Sequence, residues 1–231
     1  MRAETEIRSG RILKKVEGSQ YLFDKIGSEM EQYQVWLEDS GLRVPDTIVT
    51  FSDGIITFDQ EYLGANHCES VISIVEILQG MSFDRFGMDS NPGNFMGDEQ
   101  VYFVDFFPFL IRDNQVLSEQ FDYPIETVLQ RYFSATNVVS TFINRLFREN
   151  FEAAMVAVSK SADMLVSEFG EMLPREKDRL LMGIELAQAG GSGQDYISYY
   201  YTHKSAETIT TDREEKLKIE LKKIRDIVLS K

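Results

Sequence analysis

The hydrophobic pattern of this chain changes once, near residue 120, and that change limits the fold more than any other feature. Before it, short apolar runs that suit strands alternate with helical stripes, whereas after it helical stripes dominate. Alternation favours half-buried strands, and spacings of three and four residues favour helices. The sequence therefore predicts an α+β fold with a small antiparallel-sheet N-lobe and a predominantly helical C-lobe. We place the boundaries at residues 1–64, 65–120 and 121–231.

Short runs in the first part predict the strands. RILKKV (11–16) is typical of a strand, whereas residues 1–10 are polar and indicate a loose end. The runs over 47–52 and 55–63 are joined by Ser-Asp-Gly, which favours a hairpin. A further run, VYFV, predicts a buried strand that ends at Asp105.

Helical stripes are present in both parts. The first part contains two, over residues 19–40 and 67–80, and Ser19 and Gly41 have the residue types expected at the two ends of the first helix. The predicted helices of the second part begin near residue 122, run over about 137–160 and 161–173, begin again at Pro174, and cover 205–231.

Composition excludes several classes of partner. The formal net charge is −14, so most of the surface should repel nucleic acid. Cys68 is the single cysteine, which excludes an internal disulfide and fits a reducing cytoplasm. The chain has no apolar stretch near the roughly 20 residues that span a bilayer, and no apolar run follows the first Met. We therefore expect a cytoplasmic protein without nucleic-acid or membrane partners.

Three oxygen-bearing side chains have the spacing of a possible chemical site. Asp89 and Asn94 flank a Pro-Gly turn, and Asp105 ends the apolar run VYFV. A carboxylate and an amide oxygen at a strand end are suitable ligands for Mg²⁺, and a second carboxylate can position an attacking hydroxyl. Asp and Asn also favour turns through local hydrogen bonds, so a purely structural loop is the alternative.

The segment MDSNPGNF and the following VYFVDFF resemble the catalytic and metal-binding loops of the protein-kinase-like fold. They are most similar to the aminoglycoside phosphotransferase and choline kinase type, whose loop reads roughly H-G-D-x-x-P-x-N. The resemblance implies a minimal kinase-like fold that uses ATP and Mg²⁺. It also implies Asp89 as the catalytic base, and Asn94 and Asp105 as the Mg²⁺ ligands.

The order of the upstream elements extends the resemblance over about residues 10–110. RILKK is similar to the strand that carries the phosphate-binding lysine, which implies Lys14, or alternatively Lys15, in that role. The helix over 19–40 then supplies the glutamate that pairs with this lysine, for which Glu29 is favoured over Glu31 because it lies on the same stripe as neighbouring apolar residues.

The second predicted hairpin strand corresponds to the strand and hinge that hold adenine in this family. The resemblance implies that Glu61, Tyr62 and Leu63 bind the nucleotide base through backbone hydrogen bonds.

Three departures from the family pattern bear on activity. Gly87 stands where the family has the histidine that supports the catalytic loop. Thirteen residues precede Lys14, too few for a complete Gly-rich hairpin ahead of that strand. The segment between Gly64 and Asp89 has room for one helix, where relatives usually have two or more.

The function that the resemblance implies is transfer of the ATP γ-phosphate to a hydroxyl of a small molecule. The acceptor would be a sugar, an aminoglycoside-like or a nucleoside-like compound, and the acidic surface would suit a cationic one. The departures favour an alternative, a kinase-like binding or regulatory protein without activity. A third possibility is that a second copy, in a homodimer, or a partner protein completes the site.

Overall fold

The computed structural model of the protein describes residues 2–52, 54–63, 70–97, 100–105, 109–203 and 208–230. The chain forms two compact units that alternate along the sequence. Unit 1 consists of Met1–Glu69, Ser82–Met88 and Gly93–Phe133. Unit 2 consists of Ser70–Met81, Asp89–Pro92 and Ser134–Lys231. The prediction of an α+β protein with a small antiparallel sheet is confirmed.

Unit 1 contains the strands. The main sheet is antiparallel, in the order β1-β2-β4-β3. Its strands are β1 (Arg2–Arg8), β2 (Arg11–Glu17), β3 (Thr47–Ser52) and β4 (Ile55–Glu61). The predicted hairpin is therefore confirmed as β3 and β4, although Asp53 of its turn lies outside the described residues.

The predicted loose end at residues 1–10 is wrong, because β1 pairs with β2 along its whole length. Ser9 and Gly10 form the connection, and both have positive φ, as two-residue hairpin turns of this kind require. The side chains of β1 are exposed at every position from Glu4 to Arg8. A strand at the edge of a sheet with two polar faces shows no apolar alternation, so the periodicity of the sequence does not reveal it.

The first helix, α1 (Gln20–Asp39), has the ends that the sequence predicts. The Ser19 side chain accepts a hydrogen bond from the N–H of Leu22, as an N-cap does. Gly41 follows the last turn with a φ of 92°, the conformation that ends helices at glycine. The apolar stripe packs inward, and its buried members are Leu22, Phe23, Ile26, Tyr33 and Leu37.

Four strands of two residues each and two short helices complete unit 1. The strands are β5 (Phe86–Gly87), β6 (Phe95–Met96), β7 (Tyr102–Phe103) and β8 (Leu110–Ile111). The helices are α3 (Asn114–Gln120) and α4 (Ile125–Tyr132). The strand predicted up to Asp105 is thus present but shorter, and α3 was not predicted.

In the part of unit 2 that the structure describes, the regular elements are all helices. Its helices are α2 (Val71–Gly80), α5 (Ala135–Glu149), α6 (Phe151–Ser167), α7 (Pro174–Ala189), α8 (Gly193–Thr202) and α9 (Thr211–Leu229). The start at Pro174 is confirmed, and so is an amphipathic last helix. Residues 67–69, where the second predicted helix begins, lie outside the described residues.

The predicted helices over 137–160 and 161–173 are wrong in their division. The break falls at Asn150, whose extended backbone ends α5 and whose side chain accepts a hydrogen bond from Ala153 at 3.0 Å. The apolar stripe continues across this break, and the periodicity alone therefore merges the two helices.

None of the helices in the described residues combines the length and the apolar character that crossing a bilayer requires.

Candidate functional site

The candidate residues fall into two groups, one in each unit. The first group is Lys14, Asn94 and Asp105 in unit 1, and the second is Asp89 with its partner in unit 2.

A short antiparallel pair of strands places Asn94 beside the segment that carries Asp105. Phe95 lies opposite Phe103 in the β6–β7 pair, and the same register continues to Asn94 and Val104. The N–H of Val104 donates to the carbonyl oxygen of Asn94 at 2.9 Å. Asn94 is buried, whereas the Asp105 side chain is 44% exposed. The structure therefore brings the two predicted metal ligands to one end of this strand pair.

Three further hydrogen bonds fix the strand before Asp105. The backbone of Arg43 accepts from Phe103 and donates to Val101, both at 2.8 Å. The buried amide of Gln60, on β4, donates to the carbonyl oxygen of Val104 at 3.0 Å. The position of Asp105 is thus determined by hydrogen bonds from three separate segments, although β7 itself is only two residues long.

Lys14 forms an ion pair with Asp105 across 91 positions of the sequence. Lys14 lies on β2, where successive side chains point to opposite faces, and its neighbour Lys15 is exposed. The Lys14 side chain is only 17% exposed. Of the two lysines that the sequence left open, the structure places Lys14 on the predicted metal ligand.

Glu29, which is expected to pair with this lysine, forms an ion pair with Arg85. Glu29 lies on the side of α1 that contacts the segment before β5, where Arg85 also bonds Gln32. Glu31 is exposed. A different residue of α1, Tyr33, is affected by the charge of Asp105. Burial raises the pKa of this tyrosine, and the negative charge of Asp105 raises it further.

The predicted hinge begins at Glu61, the last residue of β4, and two of its backbone N–H donors already have partners. The N–H of Glu61 donates to Asp46 at 2.8 Å, and the N–H of Tyr62 donates to Gly10 at 3.0 Å. An adenine ring at this segment would therefore have to use its carbonyl groups or the N–H of Leu63.

Gly87 has no room for the histidine of the family pattern. A Cβ atom there would lie 2.8 Å from the ring of Phe133 and 2.8 Å from the carbonyl oxygen of Tyr132. The next residue, Met88, donates its N–H to the same carbonyl at 3.0 Å, which holds the chain close to this backbone. Gly87 therefore allows a close approach that any side chain would prevent.

In unit 2, Asp89 forms an ion pair with Arg145 of α5 at 2.7 Å. Arg145 is largely buried and Asp89 is 41% exposed. The hydroxyl of the next residue, Ser90, is buried and donates to the carbonyl oxygen of Val138, also on α5, at 2.6 Å. Two side-chain contacts thus hold the predicted catalytic residue on one helix.

The donor types of the first group suit Mg²⁺. Asn94 offers an amide oxygen and Asp105 a carboxylate that already neutralises one cation, the ammonium group of Lys14. Mg²⁺ prefers such oxygen ligands and usually keeps waters or substrate phosphates as its others. Within the described ranges, no cluster of three or more His, Cys, Asp and Glu side chains could hold a metal ion.

Sequence reasoning missed Arg145, Gln60 and Tyr33. Arg145 lies 56 positions from Asp89 in the sequence, on a helix whose residue pattern is that of an ordinary amphipathic helix. Gln60 and Tyr33 read as strand and helix residues whose contacts depend on the fold. Only a buried polar residue within an apolar pattern, as Gln60 is within β4, could have given a signal.

Searches against protein-family models, curated proteins and solved structures find no match to this chain. The residues of the two groups and their contacts are therefore the features that bear on function.

Proposed function

We propose that the protein is a kinase-like phosphotransferase that moves the γ-phosphate of ATP to a hydroxyl of a small molecule, with Mg²⁺. The observation that carries this proposal is the ion pair between Lys14 and Asp105. Both residues were selected from the sequence as nucleotide and metal ligands, and they are 91 positions apart. A structural loop around Asp105 would give no reason for that particular lysine to contact it.

Each residue has one role in the proposed reaction. The carboxylate of Asp105 and the amide oxygen of Asn94 hold Mg²⁺, which neutralises phosphate charge when bound. Lys14 leaves Asp105 for the phosphates, where its ammonium group offsets negative charge. Asp89 orients the acceptor hydroxyl and accepts its proton. Arg145 holds the Asp89 carboxylate in place, in a chain that has Gly87 where the family has the histidine that supports the catalytic loop.

A second candidate function has its own supporting observation. The N–H groups of Glu61 and Tyr62 are bonded to Asp46 and Gly10, so the segment offers fewer donors to adenine than the resemblance implies. A kinase-like binding or regulatory protein without phosphoryl transfer would tolerate that loss. Under this alternative, the ion pairs at Asp105 and Asp89 are structural.

Turnover separates the two functions. We expect the wild-type protein to release ADP in the presence of Mg²⁺ and a suitable acceptor, and the Asp89→Asn variant to lose about 10²–10⁴-fold in rate. Asp122→Asn, at an exposed position, is the matched control and should leave the rate unchanged. ADP release that survives Asp89→Asn at the wild-type rate would remove Asp89 from the mechanism.

A further inference from the structure

Two arginines of unit 2 meet on one tyrosine ring with few acceptors around them. Arg148 lies on α5 and Arg179 on α7, and Tyr200 belongs to α8. The guanidinium carbon of Arg179 lies 3.8 Å from the centroid of the Tyr200 ring, and that of Arg148 lies 5.3 Å from it. Cations bind aromatic faces favourably, but two like charges beside one ring repel each other.

The carboxylates of this region do not balance the two charges. Arg179 lies 3.5 Å from Glu176, whose carboxylate also accepts from Arg175 at 3.1 Å and from Asn144 at 2.8 Å. In the part of the chain that the structure describes, no carboxylate lies within ion-pair distance of Arg148. Among those residues, the one polar contact of its guanidinium group is a long hydrogen bond of 3.4 Å to the hydroxyl of Tyr201.

Both guanidinium groups also hold a buried donor without an acceptor. The Nε–H of Arg148 and that of Arg179 are buried and make no hydrogen bond. Arg179 is 97% buried, with a relative exposure of only 3%. An unsatisfied buried donor on a charged group costs more free energy than one on a neutral group. An anion would provide the acceptors and the negative charge together.

We propose that Arg148 and Arg179 bind an oxyanion group, phosphate or carboxylate, of a small molecule. Planar guanidinium groups present paired donors that match the oxygens of these anions, which makes arginine the residue of choice for them. The Tyr200 ring lies beside both guanidinium groups, and the partly exposed Arg148 and exposed Tyr201 form the open side. The site is locally basic in a chain whose net charge is −14.

The same helix connects this anion site to Asp89. Arg145, which holds Asp89, precedes Arg148 by three positions on α5, and residues three apart are neighbours on a helix surface. If the proposed phosphotransfer holds, the anionic molecule is the acceptor, and it is a phosphorylated or carboxylated compound rather than a cationic one. This last step rests on the proposed function, whereas the anion site itself does not.

The test uses the full-length protein, inorganic phosphate and acetate at constant ionic strength. NMR of the arginine Nε–H groups reports binding without any catalytic step. We expect saturable shifts of the Arg148 and Arg179 signals with phosphate, and at least a tenfold weaker phosphate affinity in Arg148→Gln. Arg148→Lys keeps the charge without the paired donors and should give an intermediate affinity.

Two control variants exclude other phosphate sites. Arg131→Gln removes another arginine with a buried, unbonded Nε–H over a tyrosine ring, that of Tyr132, but without a second arginine beside it. Lys14→Met removes the proposed nucleotide-phosphate contact. In both variants, the Arg148 and Arg179 signals should shift with phosphate as they do in the wild type. Absence of saturable shifts, or unchanged affinity in Arg148→Gln, overturns the proposal.

The acetate arm and an acceptor comparison identify the source of the anion. Acetate that displaces phosphate at similar concentration assigns a carboxylate, whereas phosphate binding that resists acetate assigns a phosphate group. In an active enzyme, Arg148→Gln should raise KM for an anionic acceptor and leave KM for ATP unchanged. Phosphate binding without turnover would contradict the proposed function and leave the anion site standing.

Discussion

The two groups of candidate residues are held in place in different ways. Asp105 and Asn94 in unit 1 are positioned mainly by backbone hydrogen bonds between short strands. Asp89 in unit 2 is positioned by two side-chain contacts with helix α5. Arg145 of this helix bonds the Asp89 carboxylate, and the hydroxyl of Ser90 bonds a backbone carbonyl of the helix. Backbone pairing leaves a pattern of strands and turns that a sequence displays, whereas a contact from a distant helix leaves none. The sequence therefore indicated Asp105 and Asn94 together with Lys14. It indicated Asp89 but not its partner Arg145.

The largest expected effects are on enzyme kinetics, where the first group should affect KM for ATP and the second should affect kcat. Lys14→Met should raise KM for ATP by at least about tenfold, because the lysine contributes to binding phosphate in the ground state. Asp89→Asn should lower kcat by about 10²–10⁴-fold and leave nucleotide binding intact. Steady-state kinetics with varied ATP measures both. The same pattern of loss in both variants would contradict a division of labour between the groups.

The next effect concerns stability near Gly87. Gly87→Ala places a methyl group 2.8 Å from a backbone carbonyl that cannot move aside, so we expect a loss of about 1–3 kcal/mol in the free energy of unfolding. Gly170→Ala meets no atom within 4 Å and is the control. Urea midpoints measure both variants. Equal midpoints for the two would show that the backbone around Gly87 accommodates a side chain.

A smaller effect is expected at Arg145. Arg145→Gln should lower kcat by about tenfold, since it leaves Asp89 in place but less well oriented, and it should leave KM for ATP unchanged. Arg145→Lys retains the charge and should recover part of the rate. Arg131→Gln, in unit 1, is the control. A loss of stability without a change in kcat would assign Arg145 a structural role alone.

The smallest effect is the acid sensitivity of unit 1. Burial alone would raise the pKa of Asp113, but hydrogen bonds from Tyr21, Val116 and Gln115, and the charge of Lys25, lower it overall. A carboxylate with a lowered pKa stabilises the fold above its unfolded pKa, near 4, and this contribution is lost as the pH falls through the folded pKa.

Asp113→Asn tests this contribution and retains the cap of α3, because asparagine is also a good N-cap. The variant should lose less stability than the wild type between pH 6 and pH 3, as measured by urea midpoints. Asp122→Asn should follow the wild type. A wild-type pH dependence in Asp113→Asn would contradict the pKa direction.

Much of the fold follows from local patterns. The ends of α1, the β3–β4 hairpin and the start of α7 depend on neighbouring residues, such as Ser19, Gly41 and Pro174, and the sequence predicted them. The edge strand β1 and the break at Asn150 were missed because one lacks apolar alternation and the other lies within a continuous apolar stripe. In both places, the hydrophobic period carries no information on the boundary.

Less of the site follows from the sequence, and the reason is distance along the chain. The turn between Asp89 and Asn94 is a local feature. Its assignment to the same site as Asp105 depended on the resemblance to a family motif. The partner of Glu29 proved to be Arg85, because helix periodicity gives the face of a side chain but not what lies opposite it. Arg148 and Arg179 come together only through the packing of three helices, so no pattern in the sequence predicts that they are neighbours.

Lys14, Asn94 and Asp105 are proposed to form a Mg·ATP site, and calorimetric titration of the full-length protein with ATP is the decisive measurement. We expect the wild-type protein to bind ATP only when Mg²⁺ is present, and Asp105→Asn to lose that Mg²⁺-dependent binding while Asp122→Asn retains it. Binding of ATP to Asp105→Asn with wild-type affinity, or no binding to the wild type at millimolar ATP and Mg²⁺, would contradict the claim.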